Sequence, residues 1–133
     1  RGLVGSEMCI RDRAFVKAFA AKTGAVIAVT GAIDLVSDAE RTFVIRNGRP
    51  MMGRVTGTGC MLSAMTAAYL AANPECPLEA AAAAVGAMGV CGEIALERLQ
   101  KGEGNSTYRN RLIDAIDCLD AETLERGANY EVR

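Results

Sequence analysis

The stretch Val55-Thr56-Gly57-Thr58-Gly59-Cys60 turns abruptly from glycines and hydroxyls into a run of small and apolar residues over 61–72. That is how a helix N-terminus is prepared to hold an anion. Two glycines let the backbone approach a bound group, and the first helical turn offers N–H groups with no intrahelical partner at the positive end of the dipole. The expected guest is a phosphate, held in an anion hole made by Gly57, Thr58 and Gly59. Leu62 stands where the third glycine of a dinucleotide fingerprint would fall, and no Lys-Ser/Thr pair follows as in a Walker loop. Cys60 closes the motif. Helix N-terminal amides favour a thiolate, so Cys60 is a candidate base or nucleophile. The competing reading, a small residue packed in a tight strand-to-helix turn, has equal weight on pattern alone.

Upstream of this motif, 25–29 is a compact, β-branched run that reads as a buried strand, broken by Thr30-Gly31. Ligands of open α/β sheets bind beyond the carboxyl ends of strands, which makes Thr30 a candidate phosphate contact; a turn residue closing a strand is the plainer reading. Phe15, Val16, Phe19 and Ala20 recur at helical spacing before a Gly24 stop. The segments 33–36, 42–46 and 51–55, separated by turns at 37–40 and Asn47-Gly48, suggest short antiparallel strands appended to a parallel sheet. Downstream the pattern is helical: one helix from Gly59 to 72, a second over 77–101, a third over 108–119 and a short one over 121–126. A terminal strand is expected over 129–132. Gly86, Gly89 and Gly92 in the second helix cost propensity but admit a close neighbour. A few strands followed by several helices give an α/β layered architecture.

Composition narrows the function. The chain has 133 residues, half of them hydrophobic, enough for one core. A net charge of −1 without a Lys/Arg cluster removes the footprint of a nucleic-acid binder and points to a small partner. Histidine is absent, which excludes Ser-His-Asp and Cys-His catalysis and His-ligated metals within this chain, leaving Cys, Asp, Glu, Lys or Tyr for proton transfer. Five cysteines without a C-x-x-C pair read as reduced thiols of a cytoplasmic protein, with Cys76, Cys91 and Cys118 in the core. Asp34 and Asp38 are metal-facing or solvated carboxylates. Glu93, Glu97, Arg98 and Lys101 mark a solvated helix face. The uncharged 55–74 stretch contains Gly, Thr, Asn and Pro and reads as a buried helix with its flanks, not a membrane span. Residues 4–13 lack a hydrophobic period and read like a translated sequencing adapter; 1–13 is therefore expected to be foreign and 14–133 the C-terminal portion of one domain.

Ala28-Val29-Thr30-Gly31, Asp34, Asn47-Gly48 and above all 55–60 followed by Met61-Leu62-Ser63-Ala64 resemble the hydroxyethylthiazole kinases, the thiamine-salvage branch of the ribokinase-like fold. The resemblance implies an incomplete ribokinase-like α/β fold. It also implies ATP-dependent phosphorylation, with Mg²⁺, of the primary alcohol of 4-methyl-5-(2-hydroxyethyl)thiazole. By the same resemblance Cys60 replaces the aspartate base common in that fold, Thr30 contacts ATP, the backbone of Gly57 touches the thiazole, and the whole enzyme is a homotrimer. No residue is assigned to a metal. The alternatives are a hydroxymethylpyrimidine or sugar kinase of the same fold, or a non-catalytic helical interaction module.

Overall fold

A computed structural model describes residues 4–133, with side chains from Arg11 onward. The elements run α1 (Val4–Thr23), β1 (Ile27–Val29), β2 (Asp34–Ser37), β3 (Thr42–Ile45), a 3-10 turn (Pro50–Arg54), α2 (Thr58–Ala72), α3 (Pro77–Glu97), α4 (Asn105–Asp117), α5 (Ala121–Gly127) and β4 (Tyr130–Val132). The strands form one sheet in the order β1-β2-β3-β4, every pair antiparallel.

Strand periodicity explains the layers. Leu35 and Val44 are cross-strand partners on one face and pack with Val16 of α1. Val36 and Ile45 point to the other face and pack on Leu78, Ala81, Ala82 and Val85 of α3. The sheet is therefore sandwiched between α1 and α3, an α/β layered arrangement. A second core lies beyond α3, where Met88, Cys91 and Ala95 meet Val55 and the α4 residues Tyr108, Leu112 and Ala115. Full burial of a side chain such as Leu78 or Leu112 stabilises by about 1.5–3 kcal/mol. The Tyr108 hydroxyl is satisfied by donating to the Gly92 carbonyl at 2.9 Å. α3 is long and apolar enough to cross a membrane by length and composition, but 78% of its apolar window is buried against the rest of the chain.

Several expectations are corrected. The short strands are antiparallel as expected, but the parallel sheet they were to be appended to is not found among the described strands; β1, β2 and β3 follow one another through turns too short for a parallel crossover. The 25–29 run is the sheet's edge instead of a buried strand, with Val29 44% exposed. The expected 51–55 strand is the 3-10 turn, opened by Pro50 and closed by Val55 N–H donating to the Met52 carbonyl. α3 stops at Glu97, short of 101, where Leu99 N–H bonds three residues back to Leu96 and tightens the last turn. The first helix begins at Val4, since no glycine or proline interrupts the run from Ser6 to Thr23. Of its four marked apolar residues only Val16 and Ala20 are buried; Phe15 and Phe19 stack on each other in solvent, centroids 6.1 Å apart.

Candidate functional site

A cavity of about 570 Å³ opens where the loop after β1, the loop after β3 and the start of α2 converge over α3. Thr30, Gly31 and Asp34 line it from the end of the sheet. Residues 47–50 with Met52 and Gly53 supply a second wall, Thr58, Gly59 and Leu62 a third, and Val85, Met88 and Gly89 the floor.

Each wall has a local cause. Past β1, Gly31 N–H donates to Asp34 Oδ1 at 2.8 Å, turning the chain back into β2 with Thr30 at the bend. Burial pushes the Asp34 carboxyl above its ordinary range, and the Gly31 hydrogen bond opposes it. Before α2, Gly57 adopts φ +98°, a left-handed conformation that disfavours any other residue, and no side chain caps the helix. The Gly57 carbonyl accepts from Met61 N–H at 2.9 Å, leaving the earlier amides of the turn without intrahelical acceptors. The Thr58 hydroxyl lies 3.3 Å from both the Met52 and Val55 carbonyls, so its proton is committed to the preceding loop and its amide is what the first turn offers. At Gly57 and Gly59 a Cβ would meet no described atom within 4 Å beyond the adjoining chain, so both positions face open space. The motif thus leaves the first-turn amides of α2 uncapped and approachable, which suits a phosphate group.

The structure brings Thr30, Thr58 and Gly59 to one cavity. Gly57 and Cys60 adjoin it without lining it; Cys60 is exposed, one residue beyond Gly59 on the helix. Asp38 lies elsewhere, with Oδ1 accepting from Glu40 N–H and Arg41 N–H in the β2–β3 turn, and the Arg41 amide chiefly holds its carboxyl below the ordinary range. Among the described residues no three His, Cys, Asp or Glu side chains group to hold a metal, and Asp34 is the only carboxylate lining the cavity. That donor set does not by itself form a Mg²⁺ site. Of the expected core thiols only Cys91 is buried; Cys76 and Cys118 are exposed because they flank helices, as the N-cap of α3 and the C-cap of α4.

Glu93 corrects the reading of a solvated face. Its carboxylate, only 20% exposed, accepts from Gly48 N–H at 3.0 Å and Asn47 Nδ2 at 3.3 Å, and pairs with Arg49 at 3.7 Å. Asn47 is buried and also joins the C-terminal segment, donating to the Gly127 carbonyl at 2.9 Å and accepting from Asn129 N–H at 2.7 Å. A sequence signal existed: Glu93 follows Gly89 by four residues, so a carboxylate stands one turn beyond a close-approach glycine.

Residues 1–122 match the family described as the hydroxyethylthiazole kinase family. The chain belongs to that family. It is 57% identical over 117 residues to a hydroxyethylthiazole kinase of Clostridium acetobutylicum, covering 88% of this chain and 43% of that protein. It is 36% identical over 133 residues to a hydroxyethylthiazole kinase of Zea mays, covering all of this chain and 46% of that protein. The solved structure of a hydroxyethylthiazole kinase protein from Pyrococcus horikoshii OT3 superposes with a TM-score of 0.84 at 32% identity, over 98% of this chain and 50% of that one. The chain thus spans about half the length of the family members it matches, and it shares their fold over that half.

Proposed function

We propose that residues 14–133 are the C-terminal portion of a hydroxyethylthiazole kinase domain, with 1–13 foreign to it, and that they supply the phosphate side of ATP-dependent phosphorylation of the thiazole's primary alcohol. The observation that carries this is the convergence of Thr30, at the carboxyl end of β1, with the glycine-capped start of α2 on one cavity. Thr30 contacts ATP, and the amides of Gly57, Thr58 and Gly59 stabilise charge on the transferring phosphoryl group. The Gly57 backbone meets the thiazole, and Cys60 takes or orients the alcohol proton. Phosphoryl transfer relies mainly on positioning and electrostatic stabilisation, which a row of fixed amides provides. Mg²⁺ would neutralise charge on the nucleotide's phosphates, held by residues outside this chain; those residues and the other half of the substrate pocket belong to the remainder of a cytoplasmic homotrimer.

Two experiments test this. An amide-resolved NMR titration of the chain with Mg·ATP should shift Thr30 and residues 57–60; a dispersed spectrum that does not respond favours the non-catalytic interaction module. Joining the chain to the N-terminal half of the Clostridium acetobutylicum kinase should then restore thiazole phosphorylation in preference to hydroxymethylpyrimidine or sugars. In that chimera Cys60→Ser should cut kcat about 100-fold, the scale of a lost general base, while Cys60→Asp retains activity. An indifferent Cys60→Ser would remove the base assignment.

A further inference from the structure

We infer that Glu93 is a positioning residue for the nucleotide: one carboxylate on α3 fixes three consecutive residues, Asn47, Gly48 and Arg49, as a wall of the cavity that Thr30 and Thr58 share. The inference rests on the proposed nucleotide site. All three residues line the cavity, and each meets the same side chain. The turn is determined from both sides. Gly48 has φ +111°, which orients its N–H to the carboxylate in a conformation L side chains rarely adopt. Gly89 leaves the space Asn47 occupies, since a Cβ there would lie 2.6 Å from the Asn47 Cβ.

The charge pattern says what the wall is for. Among the described residues, Arg49 is the only cationic one lining the cavity, beside a single carboxylate, Asp34. Its pairing with Glu93 at 3.7 Å is looser than a hydrogen bond and half of the Arg49 side chain remains exposed, so guanidinium donors stay available. A planar guanidinium tethered at the rim suits the oxygens of a nucleotide polyphosphate. Glu93 therefore sets both the backbone shape of this wall and the place of its positive charge.

The test measures the Kd of Mg·ATP for the full chain by NMR titration, and the KM for ATP in the chimera, with melting temperatures alongside. Glu93→Gln keeps an acceptor for Gly48 N–H but loses the charge that anchors Arg49; ATP should bind about threefold more weakly with little change in melting temperature. Glu93→Ala loses both and should weaken ATP about tenfold, with kcat and the thiazole KM within about twofold of the unmodified chimera. Glu97→Gln, exposed on the same helix, should change nothing. If Glu93→Ala does not fold, Glu93→Gln decides alone. Unchanged ATP affinity in Glu93→Gln, whatever its melting temperature, reduces Glu93 to a structural staple and overturns the inference. Absence of ATP binding by both the unmodified chain and the chimera overturns the nucleotide site, and this inference with it.

Discussion

α2 and α3 are both apolar helices rich in alanine and other small residues, yet α3 is buried along nearly all of 80–92 while α2 has no buried residue. In α3 the small residues are notches with occupants: Asn47 fills the space beside Gly89, and the Met52 thioether fills the space beside Gly92. In α2, Leu62 and Met65 lean on the cores while Ser63, Ala64, Ala67, Ala68 and Ala71 face outward. Small apolar residues reveal that a helix can be approached closely. What approaches it is a property of the rest of the fold, and for α3 that rest lies within this chain.

The comparison breaks most readily at Gly89. Gly89→Ala places a Cβ 2.9 Å from the Asn47 backbone carbon, an atom that cannot swing aside, so a loss of about 3 kcal/mol is expected in denaturant unfolding. The three nearest atoms to a Cβ at Gly92 all belong to the flexible Met52 side chain, so Gly92→Ala should cost about 1 kcal/mol. Gly86→Ala meets nothing within 4 Å and should stabilise by about 1 kcal/mol through helix propensity. Equal costs at all three positions would mean that the notches are not what holds α3 in place.

Thiol chemistry sharpens the same contrast. Burial pushes the Cys91 thiol of α3 from 9.0 to about 11, whereas Cys60 of α2 is exposed. Mass-spectrometric labelling at pH 8 should modify Cys60, Cys76 and Cys118 within minutes and leave Cys91 unmodified until the chain unfolds. Because the folded value lies above the free one, the associated stability is present below pH 9 and is lost as pH rises through about 11. Labelling of Cys91 at the rate of Cys60 would show that the α3–α4 core opens readily.

The helical half of the fold was legible in the sequence because its signals are local: the glycine motif before α2, Pro77 at the start of α3 and the glycines of 102–104 ahead of α4. Thr30 and the glycine motif could be named as candidates because each lies at the end of an element, and the structure brings Thr30, Thr58 and Gly59 to one cavity. The sheet was read less well. Periodicity identifies 25–29 as strand but not which neighbours it has, so an apolar run suited to burial was placed inside when it forms the edge here. Glu93 was missed for the same reason. Its partners are far away in sequence, and the one local hint, its place four residues beyond Gly89, does not outweigh the solvated reading of a helical carboxylate until the Asn47 turn is seen against it.

The smallest effect is expected on the outer face of α2. Ala67 is exposed and leucine is a good helix former, so Ala67→Leu should change the stability of this chain by no more than about 0.5 kcal/mol. The same substitution at Ala84, fully buried on α3, should cost about 1–3 kcal/mol by overpacking. Melting curves of both variants over a range of protein concentrations separate two outcomes. A neutral, concentration-independent Ala67→Leu means that the outer face of α2 is open in this chain, as its exposure indicates. A loss approaching that of Ala84, growing with concentration, would mean that a second copy covers α2 in solution; the two helices would then differ only in whether their cover comes from their own chain.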